Sequence, residues 1–240
     1  MVRYLCYVHI ESTVVAMSLI RFLILMMLKG ISAGSFRFDV DWFGPKPEND
    51  GWRDIRLAVI LNHTSLLEPL FAGVLPVGFL WRIASRGMFP AADLTMKRPI
   101  AGKIFRILAP QVISLTRKRD ESWQNFLDQI DPNTLMLFLP EGRMKRPNGL
   151  DKHGKPMTVR GGIVDVLQLL GSGKMLIAVS GGLHDLSFGK QLQLRLATVD
   201  IAAYLAKFSE GGQVNGKAII ADLERIRDCL LYTSDAADDT

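Results

Sequence analysis

The chain has 240 residues, 48% of them hydrophobic and 22% charged, so it can bury one large core and is unlike a disordered or low-complexity protein. A formal net charge of +5 and an isoelectric point near 9.3 favour anionic partners such as phosphate-bearing substrates, acidic carrier proteins or a membrane surface. Charge alone would also suit nucleic acid, but the basic residues form no stripe interleaved with aromatic side chains, and we expect no nucleic-acid partner.

The first predicted element is an apolar helix. Residues 13–28 are apolar apart from polar positions such as Ser18 and Arg21. A full membrane span needs roughly 20 apolar residues, so this shorter segment with a central charge predicts a helix lying in one leaflet, where Arg21 reaches the head groups. Two alternatives stay open: a buried core helix, and a signal peptide, for which Ile31-Ser32-Ala33 is a poor cleavage site.

After Gly34, short apolar runs alternate with helical periods. The predicted strands are Phe36–Trp42, Leu57–Leu61, Phe79–Ala84, Gln111–Leu115, Thr134–Leu139, Met175–Ser180 and Leu192–Val199. The predicted helices are Ser65–Val74, Pro99–Leu108, Ser122–Ile130, Gly162–Leu170 and Lys217–Asp228. Strands separated by helices predict an α/β domain with a largely parallel central sheet flanked by helices.

Polar residues follow three of these strands. Asn62-His63 follows the second, Thr116-Arg117-Lys118-Arg119 the fourth, and Pro140-Glu141-Gly142-Arg143 the fifth. Sheets of this kind bind ligands at the carboxyl ends of their strands. If the strands are neighbours, a histidine, an arginine cluster and a glutamate converge at one edge, which suits a site that handles a phosphate and a proton.

Each of these segments also has a purely structural interpretation. Ser65-Leu66-Leu67-Glu68 matches a helix capping box, in which Glu68 would only satisfy backbone N–H groups. The same geometry leaves His63 just before the helix, where the Glu68 carboxylate can contact its imidazole. A charge run such as 117–119 is usually solvated, and Glu141-Gly142 is an ordinary sequence for a turn. Spacing alone leaves both interpretations open.

Taken together, the segments resemble the PlsC-like glycerolipid acyltransferases, typified by bacterial 1-acylglycerol-3-phosphate acyltransferase. The stretch 62–68 resembles their His-x4-Asp block, 138–142 their Phe-Pro-Glu-Gly block, and 112–117 the intervening strand that ends in a phosphate-binding arginine. The three blocks come in the family's order, and the resemblance covers roughly residues 57–186. It implies transfer of an acyl group from an acyl-CoA or acyl carrier protein thioester to the hydroxyl of a lysophosphatidic-acid-like acceptor in phospholipid biosynthesis, without a metal or other cofactor.

The resemblance also implies a role for each site residue. His63 would act as general base and Glu68 would orient it, Arg117 would bind the acceptor phosphate, and Glu141, Gly142 and the adjoining Arg143 would form the acceptor-binding block. An oxyanion hole is expected, but the sequence does not identify its donors. The chain departs from the family pattern at Glu68 (usually Asp), Thr116 (usually Asp) and Arg143-Met144 (usually Thr-Arg). These departures bear on the acceptor more than on the reaction type, and a lyso-aminolipid is an alternative acceptor.

A basic loop and two rival functions complete the prediction. Residues 143–160 hold six Lys or Arg against Asp151 alone, which suits a head group, the phosphates of CoA, a carrier protein, or loose adhesion to lipid. Gly30-Ile31-Ser32-Ala33-Gly34 spells the nucleophile elbow of lipid-cleaving serine hydrolases, but it follows a helical stretch and precedes a strand, which is the wrong context. The second rival is a membrane-surface protein that has this fold and no catalysis.

The expected domain organisation follows. Residues 1–34 form a membrane-associating segment, 35–228 the acyltransferase domain, and 229–240 a tail that resembles the translation of a sequencing-library adapter. Cys6 would then be the one native cysteine, which fits a reducing compartment. His9, His153 and His184 form no spaced ligand set, so no metal site is expected. We therefore expect a peripheral or monotopic protein at the cytoplasmic face of the cell membrane.

Overall fold

A computed structural model describes residues 2–48, 50–116, 119–181, 183–184 and 187–238; for 2–12, 94, 100, 101 and 232–238 it describes the backbone only. Within these ranges the helices are α1 Val2–Ser35, α2 Val77–Arg86, α3 Asp93–Met96, α4 Pro99–Leu108, α5 Glu121–Leu127, α6 Gly162–Leu170, α7 Ile201–Lys207 and α8 Gly216–Asp238, with a 3₁₀ helix at Glu68–Gly73. The strands are β1 Arg37–Phe43, β2 Ile55–Leu61, β3 Gly87–Ala92, β4 Gln111–Leu115, β5 Leu135–Phe138, β6 Lys174–Gly181, β7 Gln191–Asp200, β8 Ser209–Glu210 and β9 Gln213–Val214.

Seven of the described strands form one sheet, in the order β1-β7-β6-β2-β5-β3-β4. The neighbours from β6 to β4 are all parallel, whereas β7 runs antiparallel to β6 and β1 is parallel to β7. The predicted α/β domain with a largely parallel sheet flanked by helices is therefore confirmed. Because β2 lies between β6 and β5, its carboxyl end is at the middle of one sheet edge, beside the carboxyl ends of both neighbours.

Side chains alternate between the two faces of the sheet, and a hydrophobic cluster lies on each. On the first, which we call the α8 face, fully or nearly fully buried residues pack against α5 to α8; the strand members include Leu57, Val59, Leu61, Met136, Phe138, Met175, Ile177 and Val179. On the second, the α1 face, the strands pack against α1, the 3₁₀ helix and α2; the strand members include Ala58, Leu135, Leu176, Leu192, Leu194 and Leu196. Successive residues of β2 and β6 thus belong to different cores.

One predicted strand is wrong. The predicted strand Phe79–Ala84 is part of helix α2, where Phe79, Leu80, Ile83 and Ala84 are buried at the spacing of one helical face. The strand at this place in the sheet is instead β3, whose glycine, proline and alanines are residues that strands disfavour. Tertiary pairing with β4 and β5 overrides this weak local preference.

The predicted helix Ser65–Val74 is also only partly correct. Residues 63–65 are irregular, and the helical part is the 3₁₀ turn from Glu68, closed by bonds such as Leu70 N to the Leu67 carbonyl at 2.9 Å. At its end, Lys29 of α1 donates its Nζ to the carbonyl of Gly73 at 2.6 Å and to that of Leu75 at 2.9 Å. Lys29 of α1 therefore binds carbonyl groups that would accept intrahelical hydrogen bonds if the helix were longer.

Helix α1 is long and largely uncovered by the rest of the chain. Its apolar part, Thr13–Ser35, spans 23 residues, which by length and composition alone is enough to cross a membrane, so the predicted limit to one leaflet is not required by length. Only 11% of its most apolar window is buried. The buried residues Ser18, Leu25 and Ser32 mark the side that contacts the domain. The alternative of a buried core helix therefore applies only to this narrow side of α1. The alternative of a signal sequence stays open, because a signal sequence near the N-terminus would have the same apolar composition.

Candidate active site

The residue after β2 turns the chain sharply. Asn62 has φ +59°, a left-handed conformation that asparagine tolerates better than most residues. Its Nδ2 donates to the carbonyl of Ser180 in β6 at 2.8 Å, and its Oδ1 accepts from Lys145 Nζ at 3.0 Å. Asn62 is 5% exposed, so this side chain links β2, β6 and the loop after β5 inside the protein. The turn that presents His63 is consequently fixed from both sides.

His63 and Glu68 form the predicted pair. His63 Nδ1 is 2.8 Å from Glu68 Oε1, and the two side chains are 13% and 8% exposed. The same oxygen accepts from the backbone N–H groups of Thr64 at 3.2 Å and Ser65 at 3.3 Å. Glu68 therefore satisfies two backbone N–H groups and contacts the imidazole at the same time, but these groups precede the 3₁₀ helix, which has no side-chain cap, so the predicted capping box forms only in part. With Nδ1–H donating to the carboxylate, the basic nitrogen of the neutral ring is Nε2.

Glu141 lies behind His63. Its Oε2 accepts from the backbone N–H of His63 at 3.1 Å, and its Oε1 is 3.1 Å from Nη1 of Arg227 in α8. The Glu141 side chain is 0% exposed. A substrate-binding role for Glu141 stays a prediction, but in this conformation its carboxylate is enclosed and occupied by protein donors. We interpret it as a residue that holds the main chain of His63.

The basic loop is folded rather than loose. The carboxylate of Asp151, which is buried, accepts from the backbone N–H groups of His153 at 2.7 Å and Lys155 at 2.9 Å and forms an ion pair with Arg143. These bonds, that from Lys155 above all, lower the pKa of Asp151 to about 2 against the effect of burial. Lys145 N donates to the His63 carbonyl at 2.7 Å, which connects the loop to the main chain of His63.

An apolar cavity of about 650 Å³ opens beside His63 and Glu68 on the α1 face, a volume typical of small-molecule sites. The described lining residues include Leu25 from α1, Phe71 and Ala72 from the 3₁₀ helix, Phe79, Leu80 and Ile83 from α2, and Ala58, Ile60, Leu137, Leu176, Ala178, Leu194 and Leu196 from the sheet. Arg98, Arg143, Arg146 and Lys152 are among the lining residues too, and all but Arg143 are exposed. The cavity thus has an apolar body and a cationic rim.

Two of the remaining predicted site residues line the cavity. Gly142 has φ +60°, which favours glycine after Glu141, and its N–H donates to the Leu139 carbonyl at 3.1 Å. Arg143 is held by Asp151, and its Nε is buried without a hydrogen-bond partner among the described residues.

Arg117 lies outside the described residues, so its predicted contact with a phosphate stays a prediction. Of the run 117–119, Arg119 is described, and it pairs with Asp165 of α6 at 2.7 Å. Ser32 of the apparent hydrolase elbow is fully buried within α1. A nucleophile there would have no access to substrate, which agrees with rejecting that rival. Within the described residues, no group of three or more His, Cys, Asp or Glu side chains is arranged to hold a metal ion.

Sequence reasoning missed three contributors. An asparagine directly after a strand is a signal for a left-handed turn, which the motif around Asn62 conceals. The charge of Asp151 stands out among basic residues, but nothing near it in the sequence indicates that it organises the loop. Arg227 had no local signal at all, because the residue it contacts is 86 positions away.

Comparison with known proteins adds no identification. No family model matches the chain. A search of curated proteins gives no significant match either. The resemblance to PlsC-like acyltransferases therefore depends on the motifs.

Proposed function

We propose that the protein is an acyltransferase that moves a fatty acyl group from an acyl-CoA or acyl carrier protein thioester to the hydroxyl of an anionic lyso-lipid. The observation that carries this proposal is the His63–Glu68 pair at the side of an apolar cavity with a cationic rim. A base held by a carboxylate suits deprotonation of a hydroxyl group, and the cavity suits an amphiphile with an acyl chain and a negatively charged head.

In the proposed reaction, Nε2 of neutral His63 removes the proton from the acceptor hydroxyl while the oxygen attacks the thioester carbonyl carbon. Glu68 holds the ring in the required tautomer and stabilises the imidazolium that forms. The tetrahedral intermediate then collapses, the C–S bond breaks, and the leaving thiolate takes the proton back from His63. The products are the acylated lipid and a free thiol, and the enzyme returns to its starting state.

The rim supports an anionic acceptor. Arg98, Arg146 and Lys152 are exposed and line the cavity, and Arg143 is positioned by Asp151. Guanidinium groups make paired charge-assisted hydrogen bonds to phosphate, so a lysophosphatidic-acid-like acceptor fits this rim. A lyso-aminolipid with a carboxylate fits it through the same chemistry, and an acceptor panel separates the two.

We propose further that α1 holds the protein at the cytoplasmic face of the membrane. Exposed apolar side chains cover its outer side, including Val15, Leu23 and Met27, and more of them lie on the helices that contact α1: Val77 and Trp81 on α2, Ile104 and Ile107 on α4. Contiguous exposed apolar residues of this kind favour a lipid surface over water. Because α1 also supplies Leu25 to the cavity wall, the cavity would lie close to the lipid from which its substrates come.

The test is thiol release by the detergent-purified chain, with acyl-CoA or acyl carrier protein as donor and a panel of lyso-lipids as acceptor, and with products identified by mass. The His63→Ala variant is expected to lose about 10²- to 10⁴-fold in rate while unfolding at the same temperature as the parent. His184→Ala is the matched control, because His184 is exposed and is not among the residues that line the cavity.

The outcomes separate the rival functions. Undiminished thiol release by His63→Ala would reject the mechanism. Absence of acyl transfer by the parent chain with every donor and acceptor, together with binding to anionic vesicles, would favour the non-catalytic membrane-surface protein.

A further inference from the structure

Arg227 reaches the candidate site from the last helix of the chain. Its Nη1 is 3.1 Å from Glu141 Oε1 and 3.2 Å from the carbonyl oxygen of Met157, and its Nε donates to Asp228 at 2.8 Å. The Arg227 side chain is only 12% exposed, and that of Glu141 is fully enclosed. This is a buried ion pair between α8 and the loop after β5, and it is not part of the cavity lining.

The carboxylate of Glu141 uses its two oxygens differently. One faces Arg227, and the other accepts the backbone N–H of His63 at 3.1 Å. A continuous chain of contacts thus runs from α8 through Glu141 to the main chain of the candidate base. Arg160 also approaches Glu141, since its Nε donates to the Glu141 carbonyl at 3.3 Å.

We infer that Arg227 is a positioning residue for His63 and acts through Glu141. This inference rests on the proposed function, in which His63 is the base. A buried carboxylate needs a counter-charge, and breaking such a pair by removing one partner leaves an uncompensated charge inside the protein. The carboxylate then turns towards another donor, and the N–H of His63 loses its fixed acceptor.

The charge of Arg227 is itself secured by its surroundings. Burial opposes that charge, but the hydrogen bonds to Asp228 and Glu141 outweigh burial and raise the pKa of Arg227. The guanidinium therefore keeps its charge, and the ion pair holds the Glu141 carboxylate in its orientation. A shift of His63 by about 1 Å can cost about 10²-fold in rate, whereas the contacts that bind substrate at the cavity are untouched.

The first test compares kcat and KM for thiol release in five variants, one of which is Glu141→Gln alone as the reference for a double variant. Arg227→Met is expected to lower kcat by about 10- to 100-fold and to leave KM for donor and acceptor within about 2-fold. Arg227→Lys keeps the charge and is expected to restore kcat to within about 3-fold of the parent. Arg225→Met is the matched control, because Arg225 lies on the same helix in an ion pair with Asp222 and is 62% exposed. It should change kcat by less than about 2-fold.

The double variant combines Arg227→Met with Glu141→Gln. The amide oxygen that replaces the carboxylate still accepts the N–H of His63 and needs no counter-charge, so this variant is expected to fold even if Arg227→Met does not. Relative to Glu141→Gln alone, adding Arg227→Met should cost no more than about 2-fold in kcat, because the two residues act in series. A full loss of about 10-fold there would mean that Arg227 acts elsewhere, for instance through Met157, and would overturn the inference.

A second readout is independent of the chemistry. Hydrogen exchange of the peptide that carries His63 should become about 10-fold faster in Arg227→Met than in the parent. The double variant should exchange at the same rate as Glu141→Gln alone, because Glu141 transmits the effect. The same peptide should be unaffected by Arg225→Met. Unchanged exchange in a folded Arg227→Met would overturn the inference whether or not the chain acylates, whereas lack of thiol release in the parent would overturn the proposed function instead.

Discussion

The two faces of the central sheet are built by the same strands, yet their interiors differ. On the α8 face, Met136, Met175 and Ile177 are fully buried against helices. On the α1 face, Ala58 and Ala178 of neighbouring strands leave a cavity of about 650 Å³. Because side chains alternate between the two faces, adjacent residues of one strand have different roles: one stabilises the packed core, and the next shapes the proposed ligand site.

The helices on the two faces also differ in what they contribute. On the α8 face they complete a closely packed core, and Phe126 of α5 is 0% exposed. On the α1 face, α1, α2 and the 3₁₀ helix cover the sheet and line the cavity at the same time. Packed interiors are costly to disturb, whereas a wall that borders an open volume can relax.

Met136 and Leu137 are adjacent in β5 and point to opposite faces. Met136→Ala removes a fully buried side chain and is expected to lower the free energy of unfolding by about 2–5 kcal/mol. Leu137→Ala should cost clearly less, because Leu137 borders the cavity and has fewer packing partners to lose. Urea unfolding of both variants measures the difference, and equal costs would mean that the α1 face is as closely packed as the α8 face.

Ala178 and Ala197 provide the reverse comparison, in which volume is added. Ala178→Leu fills part of the cavity and is expected to reduce kcat/KM for long acyl donors by about 10-fold relative to short ones, with little change in stability. Ala197→Leu adds the same volume on the α8 face, where it should cost about 1–3 kcal/mol through overpacking and leave chain-length preference unchanged. The same loss for all chain lengths in Ala178→Leu would show that the acyl chain does not enter this cavity.

Asp151 organises the basic loop, which supplies Arg143, Arg146 and Lys152 to the cavity lining. Asp151→Ala releases Arg143 and two backbone N–H groups, so KM for the acceptor should rise about 3- to 10-fold while kcat changes less. The control is Lys155→Ala, because Lys155 bonds Asp151 through its backbone and not its side chain. An unchanged KM would show that the loop does not bind the acceptor.

The pH dependence of this loop follows from the same carboxylate. The pKa of Asp151 is lowered from 3.8 to about 2, so its ionised form stabilises the folded loop above pH 3.8, and that stabilisation is lost as the pH falls towards 2. Protease cleavage in the loop should therefore increase between about pH 4 and pH 2 and not between pH 7 and pH 5.

Ser32→Ala is expected to have the smallest effect. Ser32 is fully buried in α1, and its Oγ donates to the Lys29 carbonyl at 3.2 Å, a local bond that contributes about 1 kcal/mol or less. Acyl transfer should stay within about 2-fold of the parent, as measured by thiol release. Loss of activity in a folded Ser32→Ala variant would revive the hydrolase alternative.

The elements that sequence predicted well carry a strong local signal. The strands at β2, β5 and β6 are continuous apolar runs, and α4 and α6 were predicted with their observed bounds. The elements that were predicted wrongly have a weak local pattern or one that suits both a strand and a helix. The run Phe79–Ala84 fits a strand or a helix, and β3 has a composition that strands disfavour. In both cases, packing against the sheet and its helices determines the secondary structure of the segment.

The candidate site divides in the same way. His63 and Glu68 are only five residues apart, so a short turn can bring them together, and the resemblance to the His-x4-Asp block is what favoured their contact over a cap alone. The burial of Glu141 and its pairing with Arg227 had no such signal. They depend on how α8 packs across the sheet, which no local pattern encodes.

By itself, the sequence determined the class of fold and the apolar first helix, which follow from periodicity, and it placed the histidine and its carboxylate close enough in the chain for the contact that the resemblance implies. Only the tertiary structure decided which face of the sheet is open and which is filled, how Asp151 folds the basic loop, and that α8 supports the main chain of His63. These features join residues that are far apart in the chain, and only the packing of the whole domain brings them into contact.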